Sequence, residues 1–159
     1  MLSTSNAPAS TPCAGRCSTV FGDTVCRGCR RFSHEVIDWN RYTVQQRQFI
    51  WQRLDQQLAQ IIVPIVPVVD PCQMLQFLSD RQIRLPEQAS QGRVIYEVLR
   101  VVQRAPQRLP ESGLGVSAAQ IEQTWQQVEQ RLYALAVASF EFAWLRAARF
   151  GQTTSSVDD

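Results

Sequence analysis

Four cysteines, Cys13, Cys17, Cys26 and Cys29, stand within seventeen residues in the pattern Cys-x3-Cys-x8-Cys-x2-Cys. Two close pairs separated by a short insert supply what a tetrahedral or cuboidal metal site held by four thiolates requires. Ordinary reduced thiols or a disulfide fit this clustering less well. Four thiolates around Zn(II), or around an oxidised iron–sulfur cluster, leave a site charge of about −2. Arg16, Arg27, Arg30 and Arg31 crowd that anion. From Cys13 to Arg41, five arginines face Asp23, Glu35 and Asp38, a balance of +2 that such a site would cancel. The arginines therefore read as compensation for the metal, and nucleic acid is not the favoured partner.

The insert Ser18–Val25 reads as a β-hairpin with Gly22 and Asp23 at a type II′ turn, which would carry Cys17 and Cys26 on one face. Cys26-Arg27-Gly28-Cys29 reads as a knuckle in which Gly28 permits a tight turn and lets backbone N–H groups approach the sulfurs. His34, the only histidine, could replace one cysteine as a ligand, but the first residue of a helix more often faces solvent. Cys72 stands apart beside Pro71 and reads as a partly buried helix residue.

Around this centre the chain must supply a scaffold. Its 159 residues are 45% apolar and 19% charged, enough for a core, with a net charge of +2 and no lysine among sixteen basic residues. Schiff-base and P-loop lysine chemistry are thereby excluded. One histidine and no G-x-S-x-G, H-E-x-x-H or dinucleotide fingerprint leave no catalytic set, so an enzyme is the disfavoured class. The opening MLSTSNAPASTP has no charged n-region and no apolar h-region, which makes the cytoplasm the expected location.

The expected fold class is mainly α: a small four-cysteine knuckle and β-hairpin module followed by helices, then a C-terminal α-helical domain. Ser33 caps a short helix over about residues 34–40, with Phe32 stapled onto Ile37. Thr43 and Gln46 form a capping box opening a second helix through Ile50, Leu54, Leu58 and Ile61. Asp70-Pro71 starts a third, residues 90–103 form a fourth, and Ser117 with Gln120 starts a last helix stopped by Gly151. Arg146 and Arg149 sit favourably near its negative end. Trp51, Trp125 and Trp144 fit the apolar stripes. The apolar stretch Leu132–Leu145 contains Glu141 and is too short to span a bilayer, so it reads as a buried core helix with no membrane partner. The corresponding division is a tail at 1–11, a metal-binding module at 12–62, a Pro-rich connector at 63–70, a helical domain at 71–151 and a tail at 152–159.

The ordered set Pro12-Cys13-x-Gly15-x-Cys17, Gly22-Asp23-x-x-Cys26-Arg27-Gly28-Cys29-x-Arg31 and Glu35-Val36-x-x-Trp39 resembles the small bacterial family catalogued as domain of unknown function 1289. Its members are regarded as iron–sulfur proteins. The resemblance covers about residues 12–60 and implies a metal site on Cys13, Cys17, Cys26 and Cys29 followed by a helical hairpin. It implies no defined reaction. Spacing alone leans to zinc, because neither ferredoxin spacing is present, whereas the resemblance leans to an iron–sulfur cluster. The resulting expectation is an iron–sulfur accessory or redox protein with a helical domain that docks a protein partner. The alternative is a zinc-stabilised protein- or RNA-interaction module.

Overall fold

A computed structural model describes residues 9–154. Five α-helices follow one another: α1 (Ser33–Ile37), α2 (Val44–Ile62), α3 (Pro71–Asp80), α4 (Gln91–Val102) and α5 (Ile121–Thr154). Short 3-10 turns cover Ser18–Phe21, Trp39–Arg41 and Pro106–Glu111. The chain is mainly α, with a small cysteine-rich segment preceding the helices. Among the described residues, β pairing amounts to two isolated antiparallel bridges, Val25 with Phe32 and Val68 with Leu114.

The helix starts are set by side chains that accept otherwise unpaired backbone N–H groups. Thr43 accepts from Gln46 N at 3.2 Å while the Gln46 side chain accepts from Thr43 N at 2.8 Å. Asp70 caps α3 through Gln73 N at 3.0 Å, with Pro71 in the first turn. Ser90 caps α4 through Arg93 N at 3.1 Å. The Ser117 hydroxyl lies 3.1 Å from Gln120 Oε1 one turn before α5.

Leu58 and Ile62 of α2, Met74 and Leu78 of α3, Val98 and Leu99 of α4 and Val128 and Leu132 of α5 share the main core. The segment between α2 and α3 is tied in as well: Gly115 N donates to Pro67 O at 2.7 Å, and Val69 N donates to Gly113 O at 2.9 Å. A second cluster seats Val25 and Phe32 on Tyr133, Ala136, Val137 and Phe140 of α5. A third packs Trp39 and Tyr42 on Ile50, Trp51 and Leu54 of α2. The cysteine-rich segment is thus held between α2 and α5.

Several sequence expectations change. The hairpin at residues 18–25 is a 3-10 turn, ended by Gly22 at φ +96° whose N–H bonds Thr19 O at 3.1 Å. A left-handed glycine serves a helical C-cap as well as a type II′ turn, so the Gly-Asp signal could not separate the two. The antiparallel pairing instead closes around the knuckle: Cys26 N to Arg31 O at 2.9 Å and Ser33 N to Thr24 O at 2.8 Å. At α1, Ser33 is the first helical residue, and the Glu35 carboxylate accepts Phe32 N at 2.8 Å. Phe32 meets Phe140 edge-on at 5.2 Å, and Ile37, its expected partner, lies exposed.

The last helix departs furthest. Burial ends near Phe140, because the cysteine-rich segment reaches no further along it, and Phe142 (63%), Trp144 (68%), Leu145 and Phe150 are exposed. Gly151 keeps a helical φ, so α5 continues to Thr154 and its last turn carries no arginine. Trp144 stacks on Phe140 at 6.5 Å on the outside of the molecule. No helix among the described residues is long and apolar enough to cross a membrane.

The tightest crossing is that of α2 and α4 at Gly92, where a Cβ would lie 2.5 Å from Ala59 Cα and 2.7 Å from its N. Backbone cannot yield as a side-chain tip can, so Gly92→Ala should force the helices apart at a cost of about 1–3 kcal/mol. Urea unfolding followed by circular dichroism measures this, with Gly151→Ala, which meets nothing within 4 Å, as the neutral comparison.

Candidate metal centre

The knuckle brings Cys26 and Cys29 together. Both are buried, and they lie close enough for each to influence the other's titration. Burial raises the Cys26 pKa, but backbone hydrogen bonds from Cys29, Ser18 and Gly28, with the Cys29 side chain, outweigh it and bring the thiol down from its ordinary 9.0 to about 7. Such a nest of amides stabilises a thiolate and is also the outer shell that sulfur ligands of a metal need. Cys29 goes the other way: burial pushes its pKa up, against a 3.3 Å hydrogen bond from Arg31 Nε.

The second cysteine pair lies on the neighbouring stretch of backbone. A Cβ on Gly28 would stand 2.7 Å from Arg16 O and 3.4 Å from Ala14 Cβ, so the Cys13–Cys17 segment rests directly on the Cys26–Cys29 loop. Cys26 Sγ also reaches Arg16 O at 3.7 Å. The sulfurs of the outer pair are occupied locally: Cys17 Sγ is 2.9 Å from Thr19 Oγ1, and Cys13 Sγ accepts Gly15 N–H at 3.4 Å. Among the described residues, no three His, Cys, Asp or Glu side chains converge tightly enough to hold a metal ion. The backbone therefore sets the two pairs side by side without bringing three of the sulfurs together. In donor chemistry the residues fit a four-thiolate group: soft sulfurs, amide donors around the inner pair, and a glycine where the segments touch.

His34 is exposed with its ring 5.8 Å from that of Phe32, and belongs to no such cluster. Cys72 is exposed on α3, not partly buried.

The arginines are not a uniform counter-charge. Arg31 does face a sulfur, and it also lies over the Trp39 ring at 4.9 Å. Arg27 pairs with Asp23 at 3.3 Å and stands over Tyr133 of α5 at 4.3 Å. Arg30 is 4% exposed, takes a left-handed φ of 64°, bonds Glu129 of α5 at 3.2 Å and covers the Tyr96 ring of α4 at 4.9 Å. Tyr96 Oη donates to the same Glu129 oxygen at 2.8 Å. Two of the four arginines thus dock the cysteine loop onto the later helices. Sequence reading missed this, because Arg30 sits at the unspecified position of Cys-x-Arg and its partner lies 99 residues downstream.

The Glu35-Val36-x-x-Trp39 group also has a mechanical role. Buried Glu35 holds the knuckle exit by accepting Phe32 N and pairs with Arg53 of α2 through both oxygens, 2.7 Å from Oε2 to Nη1. The guanidinium groups of Arg31 and Arg47 both lie over the Trp39 ring, and Arg47 Nε bonds Trp39 O at 3.0 Å.

Residues 11–58 match the model of a family described as protein of unknown function (DUF1289). The match is confined to the N-terminal module and spans under a third of the chain. No curated protein and no solved structure gives a significant match to the chain. The DUF1289 segment holds all four clustered cysteines and ends inside α2, so Tyr96 and Glu129, which receive Arg30, lie outside it.

Two outcomes follow from this geometry. In metal-free protein the unfolded Cys26 thiol, with a pKa near 9.0, still holds a proton at pH 7–9 that the native thiol has released above about 7. Its stabilising contribution is therefore lost as pH falls through 7 and grows as pH rises toward 9, a slope that Cys26→Ser should remove in denaturant titrations. Glu129→Gln leaves the buried Arg30 charge without its carboxylate and should cost roughly 1.5–3 kcal/mol, read as a lower unfolding midpoint.

Proposed function

We propose that Cys13, Cys17, Cys26 and Cys29 form a four-thiolate metal site carrying an iron–sulfur cluster, in an accessory or redox protein whose helical part docks a protein partner. The observation that carries this reading is the amide nest around Cys26, which lowers its pKa to about 7 while the Cys13–Cys17 segment lies against the same loop. The segment bearing the outer pair rests on the Gly28 loop, which puts the two pairs next to each other. The choice of cluster over zinc follows the resemblance of the cysteine pattern. When bound, the cluster would supply one-electron chemistry, and the protein would tune it through amide hydrogen bonds and through Arg31 on Cys29.

Docking is supported by the exposed apolar end of α5. A role in contacting RNA is opposed by the arginines themselves. Arg30 and Arg31 are buried and Arg27 is paired, which withdraws them from phosphate. A reducing compartment, the cytoplasm, is consistent with five free thiols.

Anaerobically purified protein should be brown and contain both iron and acid-labile sulfide, and Cys26→Ser should abolish both. Colourless protein with one zinc per chain would overturn the cluster assignment in favour of a structural zinc module. Protein containing neither metal after purification from metal-replete cells would remove the metal reading altogether.

A further inference from the structure

A hollow of about 350 Å³ opens where the chain leading to Cys13 passes Trp39 and the first turn of α2. Arg31 and Arg47 line it together with Trp39, Ser10, Thr11 and Asn40, and its lining includes no Asp or Glu. Both guanidinium groups lie over the Trp39 ring, 4.9 and 5.5 Å from its centroid. Each is anchored through Nε, Arg31 on Cys29 Sγ at 3.3 Å and Arg47 on Trp39 O at 3.0 Å. Stacking engages the flat face of a guanidinium and the anchor one corner of it, which leaves the two Nη groups as a fork of donors.

Those forks lack acceptors. Among the described residues neither arginine forms an ion pair, and every printed side-chain hydrogen bond of either runs through Nε. The Nη atoms are not sealed from solvent, as Arg53 Nε and Arg100 Nε are. Arg31, at 3% exposure, is a charge taken almost wholly out of water without a carboxylate to meet it, and the hollow it lines is where one can reach it. The acids close by in sequence are engaged elsewhere, Glu35 with Arg53 and Asp38 with Arg41 at 3.6 Å. Thr11 Oγ1 accepts Cys13 N–H at 3.3 Å, so its own hydrogen can go to an incoming oxygen.

We infer that this hollow binds a small doubly charged oxyanion, a phosphate monoester or a dicarboxylate, held by the Nη forks of Arg31 and Arg47 beside Trp39. Guanidinium forks match the oxygens of phosphoryl and carboxylate groups, and two of them with no carboxylate in the lining favour a dianion over a monoanion. The burial that keeps Arg31 from a nucleic-acid backbone does not exclude a molecule small enough to enter. The inference is independent of the metal reading: anion binding and elemental analysis are separate measurements, and either can fail alone.

The test is calorimetric titration of the full-length protein, as purified and at low ionic strength, with inorganic phosphate, succinate and acetate. Saturable one-to-one binding of phosphate or succinate with Kd below about 1 mM is expected, with acetate at least about tenfold weaker. Phosphate binding without succinate assigns a phosphoryl ligand, and the reverse assigns a dicarboxylate. Arg47→Ala should weaken the binding by about tenfold or more, whereas Arg104→Ala, exposed beyond α4 and outside the hollow, should leave it unchanged. Asn40 is exposed in the lining, so Asn40→Asp should weaken the same anion and Asn40→Lys should tighten it, a pair of opposite signs that a folding defect does not produce. Absence of saturable phosphate and succinate binding overturns the inference. So does acetate binding as tightly as either, equal weakening by Arg47→Ala and Arg104→Ala, or a shift of the two Asn40 variants in the same direction.

Discussion

Charge removed from water has to be met by opposite charge or by a hydrogen-bonding partner of comparable strength, because an ion left alone in the interior costs several kcal/mol. This chain buries Arg30, Arg31, Glu35, Asp55 and Arg93 within or near its cysteine-rich segment. Their partners dictate how the molecule goes together. Arg31 bonds the Cys29 sulfur, Glu35 takes Arg53 from α2, Asp55 of α2 takes Arg93 of α4, and Arg30 takes Glu129 of α5. These pairs run from the knuckle through every long helix except α3. Apolar contacts are also needed, but a greasy surface accepts many registers and a buried ion pair accepts very few. The position of the cysteine loop is thus fixed by electrostatics, with aromatic rings as secondary supports, including Arg53 over Phe32 at 4.0 Å.

The family segment is consequently not self-contained in this chain. Phe32 and Val25 lean on α5, and Arg30 needs α4 and α5. Helices that lie outside the family match shape the surroundings of the inner cysteine pair, so a DUF1289 module attached to a different C-terminal part would present its sulfurs in a different electrostatic setting.

Helices were legible wherever a capping side chain and an apolar stripe agreed, as at Thr43 and Asp70, because both signals are local. Cysteine clustering and the Gly28 turn were legible for the same reason. What escaped the sequence was whatever depended on distant partners. A left-handed glycine at position 22 is compatible with a hairpin or a helical cap, and its N–H bond back to Thr19 O makes it the cap. The apolar residues of α5 beyond Phe140 have the composition of a core, yet among the described residues they lie exposed. Arg30 looked like one of four equivalent counter-ions until Glu129 and Tyr96 distinguished it. The sequence spacing placed the cysteines in two pairs that the fold sets side by side, while among the described residues no three of their sulfurs converge.

The four sulfurs differ in their access to water: Cys13 is exposed, Cys17 half-buried, and Cys26 and Cys29 are inside. The arm bearing Cys13 is tied to the helical body through Ala9 N, which donates to Leu85 O at 3.0 Å. Anything that attacks thiols from solution, whether a peroxide, a chelator or a carrier exchanging its cargo, therefore meets the outermost sulfur first and the amide-wrapped one last. The gradient would give a metal bound there a front door and a back wall, so that damage and delivery would share one direction of approach.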